Sequence, residues 1–175
     1  VFDSPKELQS AIMEKNDNQS LGISRLTATY DWEYSSQSKP KDSDYWCVRI
    51  GDWSCPWNRQ LAKEKESKHL SWIEQSQTIH EIGSTFTVQG FDLNYVGVII
   101  GPSVKYRDGK IIFDISESKN KSAVQNRKLE SGEMINYGET LLRNELNVLL
   151  TRGVNGLYVY AVDEELQQAL KKATR

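Results

Sequence analysis

The sequence predicts an α/β fold, a mostly parallel sheet flanked by helices. Two continuous apolar runs, at residues 95–100 and 157–162, are typical of strands buried inside a parallel sheet. They alternate along the chain with segments of helical periodicity, the pattern that β–α units produce. A chain of 175 residues is long enough to bury a sizeable core as one domain. We therefore predict a single domain over residues 1–175.

The first elements follow from capping chemistry and residue type. Ser4 is suited to cap a helix, Pro5 fits its first turn, and Glu7 completes a capping box. An apolar stripe at helical spacing follows, and the polar residues 16–18 end the helix. Residues 21–30 are β-branched and apolar, which predicts the first strand.

Residues 35–76 differ in composition and are predicted to be an aromatic-rich insertion. Residues 35–44 are polar and contain a proline, as loops do, and residues 46–50 alternate like a short strand. Four of the five tryptophans lie between residues 46 and 72. We expect them to form a small cluster of their own beside the main sheet. Stacking on nucleic-acid bases is the alternative use of such side chains.

The remaining elements have clear boundary signals. Residues 106–111 carry Asp-Gly at the tip of a predicted hairpin, and residues 116–134 are polar enough to be a mobile connection. From residue 136 the leucines fall on one helical face, and Gly153 is the predicted cap at the end of that helix. Asp163 is placed to cap the final helix.

Composition excludes several classes of protein. The net charge is −2 and the pI is about 5.8, so a nucleic-acid partner would need a local basic patch. No apolar run approaches the ~18 residues that cross a bilayer, and no secretory signal is visible, so we expect a cytoplasmic protein without a membrane partner. The chain lacks an initiator Met and is predicted to be part of a longer protein or a processed product.

Cysteine and histidine usage favours neither a disulfide scaffold nor a metal site. Cys47 and Cys55 are predicted to be free thiols in a reducing compartment, a single bridge between them being the alternative. His69 and His80 lack the spacing of metal ligands. The phosphate-binding loop, the dinucleotide-binding glycine pattern, the zinc-protease motif and the nucleophile elbow are all absent.

Two polar segments directly precede the predicted buried strands. They are residues 84–92 and residues 149–153. Because the amino ends of parallel strands meet at one edge of a sheet, Gln89, Gly90 and Arg152 are expected to converge on one ligand. Taken singly, Arg152 would be a helix-capping residue and Gly90 a turn residue.

These two segments resemble helicase motifs. Residues 84–92, STFTVQGFD, resemble motif V of superfamily 1 helicases, and residues 148–153, VLLTRG, resemble motif VI. The chain is therefore similar to the second RecA-like domain of that superfamily, over residues 1–34 and 77–170. More narrowly, it resembles the C-terminal half of a bacterial helicase-like ATPase family, to which the helicase half of Schlafen proteins is a more distant relative.

The resemblance implies a nucleotide-binding role for one set of residues. Arg152 matches the arginine finger that stabilises charge on the leaving γ-phosphate, with Thr151 beside it in the motif. Gln89 and Gly90 match residues that sense the nucleotide between two domains. Asp92 stands where many members have a Glu near the ribose or the magnesium ion.

Further positions match the superfamily less completely. Arg25 matches the motif IV arginine that reaches the γ-phosphate, the alternative being a surface strand arginine. Ser84, Thr85 and Thr87 match hydroxyls that contact the nucleic-acid backbone. Phe86 replaces the usual His, so a polar relay through that position is lost.

The resemblance also implies what this chain lacks. The phosphate loop with its lysine and the acidic magnesium motif belong to the first RecA-like domain, so we expect no appreciable ATPase activity from this chain alone. ATP and Mg²⁺ are expected only in the full-length parent protein, with none tightly bound here. The implied partners are single-stranded DNA or RNA and the N-terminal RecA-like domain of the same protein. A non-catalytic module that binds nucleic acid or protein is the alternative, and an unrelated small α/β enzyme is a third.

Overall fold

The computed structural model describes residues 1–18, 22–62 and 65–174. The elements in chain order are α1 (Pro5–Asp17), β1 (Ser24–Ala28), β2 (Cys47–Ile50), β3 (Trp53–Pro56), α2 (Thr85–Val88), β4 (Leu93–Ile100), β5 (Val104–Arg107), β6 (Lys110–Phe113), α3 (Lys121–Val124), β7 (Arg127–Lys128), β8 (Met134–Ile135), α4 (Gly138–Leu150), β9 (Gly153–Ala161) and α5 (Glu164–Ala173). Short 3-10 turns at Trp72–Glu74 and Ser76–His80 precede α2.

A parallel three-stranded sheet of order β1-β4-β9 lies at the centre, which confirms the predicted α/β class. β4 is its middle strand and is buried on both faces, because Val96 and Val98 pack into one core cluster while Ile99 packs into the other. Leu93 in β4 is paired with Gly153 in β9, so the two strands begin at the same edge. That register sets the position of the candidate site.

The two faces of the sheet carry different helices. α4, α5 and α2 contribute Leu146, Leu149, Leu166 and Val88 to one core cluster. On the other face α1 packs across the strands together with the β2–β3 hairpin. Gly97 permits this close packing, because a Cβ there would lie 2.7 Å from Ile12 of α1.

Local signals at several boundaries are confirmed. The hydroxyl of Ser4 accepts a hydrogen bond from the Glu7 backbone N–H at 3.2 Å, and Asp163 accepts one from Leu166 at 2.9 Å, so both helix caps form as predicted. Asp108 and Gly109 both have positive φ, at 51° and 76°, in the tight turn that joins β5 to β6. The predicted start of the first strand at Leu21 lies outside the described residues.

The cysteines of the insertion are both free. Cys47 is paired across the β2–β3 hairpin with Pro56, and Cys55 with Val48. The two thiols therefore occupy opposite faces of the hairpin, since neighbouring positions in a strand point to opposite sides. This register favours the predicted free thiols over a bridge.

The tryptophans do not form a cluster of their own, and that prediction is wrong. Trp57 is fully buried in the core on the α1 side, with Trp46 and Trp53 packed against it, whereas Trp72 is buried in the core on the α4 side. A short insertion has too little volume to enclose four indole rings, but the main sheet offers two apolar faces. The tryptophans thus attach the insertion to both faces of the sheet.

Three further expectations differ from the structure. Gly153 is not a helix cap but the first residue of β9, and α4 ends at Leu150 with Thr151 as its C-cap. A Cβ at Gly153 would lie 2.3 Å from the Gly156 carbonyl oxygen, so a tight backbone approach explains this glycine. β9 consequently begins well before residue 157 and is buried mainly near its end. Residues 116–134 form α3 and the β7–β8 hairpin instead of an unstructured connection.

No helix within residues 1–18, 22–62 and 65–174 is long and apolar enough to cross a membrane.

Candidate functional site

The two polar segments singled out in the sequence lie side by side where β4 and β9 begin. The Leu93 backbone N–H donates to the carbonyl of Arg152 at 2.8 Å. The Arg152 side chain reaches across to the other segment, donating from Nη1 to the Phe91 carbonyl at 3.4 Å and lying 3.6 Å from Asp92 Oδ1. Parallel pairing of the two strands thus brings the two segments together through Phe91 and Asp92, while convergence of Gln89, Gly90 and Arg152 on one ligand stays a prediction.

Arg152 is only loosely held at its tip. Nε donates to the Val148 carbonyl at 3.0 Å, which fixes the side chain along the end of α4. Nη2 lies 3.4 Å from Thr151 Oγ1, and that hydroxyl itself donates to the Asn147 carbonyl at 2.8 Å. The terminal nitrogens make only long contacts and the side chain is 23% exposed, so an anion can compete for them.

The neighbouring backbone is open. Gly90 has a φ of +84° and nothing lies within 4 Å of the position that a Cβ would take. The left-handed conformation explains the glycine, since other residues are strained there. Gln89 and Asp92 on either side are exposed. This edge of the sheet therefore presents the Arg152 cation beside backbone that can be approached closely.

Arg25 is placed very differently. It is 4% exposed, and its guanidinium donates to Asn16 Oδ1 at 2.6 Å, Thr78 Oγ1 at 2.8 Å and the Gln75 carbonyl at 3.0 Å. Burial lowers its pKa to about 10. The alternative of a surface strand arginine is wrong, and the chain's own acceptors occupy the donors that a phosphate would need. A nucleotide contact by Arg25 remains a prediction.

The three predicted strand-binding hydroxyls are not equivalent. Ser84 Oγ is buried and donates to Asn58 Oδ1 at 2.9 Å, while Thr87 Oγ1 donates to the Ser84 carbonyl at 2.8 Å. Both hydroxyls serve the start of α2, where Ser84 is the N-cap. Thr85 Oγ1 has no hydrogen-bond partner among the residues that the structure describes. Of the three hydroxyls, that of Thr85 is therefore the one left unpaired, although its oxygen is itself buried.

Beside the motif V segment, helices α2, α3 and α4 border a shallow, open cleft of about 270 Å³. Phe86 lies at its rim with 56% of its surface exposed, and its ring meets that of Tyr30 edge-on at 5.6 Å between centroids. The cleft, which we call the Phe86 cleft, is lined by Thr85, Phe86, Gln89, Asn120, Ser122, Ala123, Arg127, Leu141, Asn144, Glu145 and Val148.

A buried carboxylate in the lining of this cleft was missed by the sequence analysis. Glu145 is 6% exposed, accepts a hydrogen bond from the Tyr30 backbone N–H at 2.6 Å and lies 3.3 Å from Asn120 Nδ2. Burial raises its pKa to about 7, against the opposing effect of these hydrogen bonds. The available signal was its helical position, on the same face of α4 as Leu142 and Leu149.

Within the described part of the chain, no group of three or more His, Cys, Asp or Glu side chains is close enough to hold a metal ion.

Comparison with known protein families shows which family the chain resembles. A family model described as the Schlafen group 3 DNA/RNA helicase domain matches residues 1–163. The chain belongs to this family. The helicase domain is also 36% identical over 177 residues to the uncharacterized protein YPL245W of Saccharomyces cerevisiae, covering all of this chain but 37% of that protein. No solved structure gives a significant match.

These relationships confirm a helicase-like family. They do not test whether the chain is the second RecA-like domain of superfamily 1. Because the chain spans 37% of the yeast protein's length, the activity of a whole protein that contains it is a matter for proposal. The relative is fungal, so the matches give no support to the expected bacterial origin.

Proposed function

We propose that this helicase domain is the second, C-terminal RecA-like motor domain of a nucleic-acid-dependent ATPase. Arg152 acts as its arginine finger toward ATP held against an N-terminal RecA-like domain of the same protein. The observation that carries the proposal is the contact of Arg152 with the motif V segment at the edge where β4 and β9 begin. Membership of a DNA/RNA helicase domain family supports it independently.

The proposed role of Arg152 in phosphoryl transfer follows from the position of its guanidinium. ATP bound with Mg²⁺ supplies the phosphoryl group, and the negative charge that develops on that group is what an arginine stabilises. Arg152 is oriented by its Nε hydrogen bond to Val148, which leaves its terminal nitrogens directed at the neighbouring segment. Its ion pair with Asp92 is long and 71% exposed on the carboxylate side, so exchanging Asp92 for a phosphate costs little.

Single-stranded DNA or RNA is the proposed activating partner. The segment that contains Ser84, Thr85 and Thr87 supports this role, because it resembles a strand-binding motif and its Phe86 side chain is exposed. Closure of the two domains on ATP and opening after hydrolysis would move this segment relative to a bound strand.

A second candidate is a binding module without a nucleotide role. It is favoured by the internal use of several residues that the resemblance assigns to ligands: Arg25, Ser84 and Thr87 all satisfy their polar groups within the chain. In such a module Arg152 would be a capping residue for α4 and a partner for Asp92.

ATP hydrolysis by the full-length protein that contains this domain separates the two candidates. Turnover is measured with and without single-stranded DNA and RNA, for the wild type, Arg152→Ala and Arg49→Ala. Arg49 is an exposed arginine of the β2–β3 hairpin and is the matched control. We expect strand-stimulated turnover that falls by ~10³-fold or more in Arg152→Ala and is retained in Arg49→Ala.

Equal turnover in Arg152→Ala and wild type would refute the arginine-finger role. No turnover with any nucleic acid would instead favour the binding module.

A further inference from the structure

The walls of the Phe86 cleft are suited to a flat, apolar ring with a polar edge. Leu141, Val148 and Ala123 provide aliphatic surface, and Phe86 provides an exposed aromatic ring at the rim. The polar groups in the lining are mainly amides and hydroxyls; the amide side chains of Gln89 and Asn144 are exposed, whereas the carboxyl group of Glu145 is buried. A nucleobase has this combination of a π-face and a hydrogen-bonding edge.

The charge beside the cleft is basic, although the chain as a whole is acidic. Residues 118–128, SKNKSAVQNRK, contain four cationic side chains and no carboxylate, in a protein of net charge −2. Lys121, Arg127 and Lys128 are exposed, and Arg127 lines the cleft. Lys119 lies 3.7 Å from Glu33, a weak pairing between exposed groups. This segment is the local basic patch that a nucleic-acid partner requires.

Tyr30 contacts several walls of the cleft and links them to one another. The Tyr30 carbonyl accepts a hydrogen bond from the Lys119 backbone N–H at 2.8 Å, its own N–H donates to Glu145 at 2.6 Å, and its ring supports Phe86. The Tyr30 hydroxyl accepts from Asn58 Nδ2 at 3.2 Å, and Asn58 in turn holds Ser84. A single residue after β1 therefore fixes the aromatic rim and the basic segment relative to each other.

We infer that the Phe86 cleft binds one unstacked base of a single-stranded nucleic acid. Phe86 stacks on the base, and Lys121 and Arg127 neutralise the adjoining phosphates. This inference rests on the proposed function, which it deepens by naming the residues that hold the strand. It also gives a use to Phe86, the position where this sequence departs from the histidine of the resembling motif.

The chemistry of the lining agrees with this occupant. Stacking on an aromatic ring tolerates any base, so the rim provides affinity without sequence specificity. Amide side chains such as Asn144 and Gln89 offer both donors and acceptors to a base edge. Lys121 and Arg127 bind phosphate in a manner that weakens with salt. An acidic peptide shares the attraction to these cations but has no π-face for Phe86.

The test measures binding of fluorescently labelled single-stranded DNA and RNA of one length to the full-length protein by anisotropy, at several salt concentrations. We expect Phe86→Ala to weaken binding by about 5- to 100-fold, the range that loss of one base–aromatic stack produces. Phe86→Trp is expected to keep wild-type affinity because it retains an aromatic face. The double change Lys121→Ala, Arg127→Ala is expected to reduce the slope of log affinity against log salt by about 1.4.

Matched controls come from the β5–β6 hairpin, outside the cleft. Ile111→Ala removes an apolar side chain of similar exposure, and Lys110→Ala removes an exposed cation at the hairpin tip. Both are expected to bind strands as the wild type does. A poly-glutamate peptide of equal length is the competitor that distinguishes nucleic acid from an acidic protein.

The outcomes separate this inference from the proposed function. Unchanged strand affinity in Phe86→Ala, with strand-stimulated ATPase intact, overturns the cleft assignment alone. Phe86-dependent strand binding without ATP turnover supports the cleft and overturns the motor function. Efficient competition by poly-glutamate overturns the assignment to nucleic acid. A preference between the DNA and RNA probes identifies which strand the cleft takes.

Discussion

The amino ends of β1 and β9 each carry an arginine, Arg25 and Arg152, and the protein uses them in opposite ways. Arg25 is 4% exposed and holds α1 and the 3-10 turns together through three short hydrogen bonds. Arg152 lies at the open edge, where its terminal nitrogens make contacts of 3.4 to 3.6 Å. A buried arginine whose donors are all hydrogen-bonded within the chain thus stabilises the fold, whereas an arginine with long, partly exposed contacts is available to a ligand.

The same contrast separates two carboxylates. Asp92 is 71% exposed and pairs weakly with Arg152, while Glu145 is buried at the floor of the Phe86 cleft with a pKa raised to about 7. The sequence assigned a role to Asp92 and none to Glu145. The pKa of Glu145 is shifted because the side chain is buried at its position in α4. No local sequence motif predicts that burial.

Arg25→Ala is expected to produce the largest loss of stability. Removing the guanidinium breaks its short hydrogen bonds to Asn16, Thr78 and Gln75 and leaves a cavity at a buried position, at a cost of about 4 kcal/mol in the free energy of unfolding. Urea unfolding measures this loss. Arg152→Ala is the matched control and is expected to cost less than about 1 kcal/mol, because its contacts are long and partly exposed. Equal losses in the two variants would remove the contrast between these arginines.

Glu145→Gln is expected to change how stability depends on pH. Because the folded-state pKa of about 7 exceeds the ordinary value of 4.5, the folded protein binds more protons than the unfolded chain between those pH values. The free energy of unfolding therefore falls as pH rises from about 4.5 to 7. Glutamine removes this contribution and should raise stability at pH 8 by about 2 to 3 kcal/mol.

Thermal or urea unfolding at pH 5 and pH 8 measures the effect of Glu145→Gln. Asp92→Asn serves as the control at an exposed carboxylate. The buried carboxyl of Asp31, whose pKa burial also raises, keeps part of the slope in both variants. A wild-type pH slope in Glu145→Gln would contradict a protonated Glu145 in the folded state.

The smallest effects are expected at two neighbouring hydroxyls. Ser84→Ala leaves the buried Asn58 Oδ1 without the hydrogen bond that the Ser84 hydroxyl donates, costing about 1 kcal/mol. Thr85→Val removes a hydroxyl with no partner in the described structure, so stability should stay within about 0.5 kcal/mol of wild type. A larger stability loss in Thr85→Val than in Ser84→Ala would reverse the comparison.

Much of the fold was predictable because its signals are local. The cap at Ser4, the Asp-Gly turn at residues 108–109 and the apolar run in β4 each act over a few residues, and the structure confirms all three. Gly153 was misassigned because a glycine after a helix is commonly a cap. Its actual cause is close approach to the Gly156 carbonyl, which depends on how β9 pairs with β4.

The candidate site was predictable only in part. Strand order placed Arg152 beside the motif V segment correctly, since parallel strands align their amino ends. The Phe86 cleft was not predicted, because it requires α3 to pack beside α2 and α4, and the sequence of residues 116–134 indicated only a polar connection. The basic residues 118–128 indicate a binding surface only when the fold places them next to the exposed ring of Phe86.

Periodicity, capping and motifs along the chain were enough to predict the α/β class, the buried central strand β4, the helix caps and the resemblance to a helicase domain. Burial of the second apolar run was not predictable in this way, because β9 lies at the edge of the sheet. Packing in the folded chain determines that Arg25 is buried, that the hydroxyl of Thr85 is unpaired and that the carboxylate of Glu145 is shielded from water. Those properties depend on neighbours far apart in sequence, such as Arg25 and Gln75 or Tyr30 and Glu145. Desolvation and hydrogen-bond satisfaction are set by packing, which no local pattern encodes.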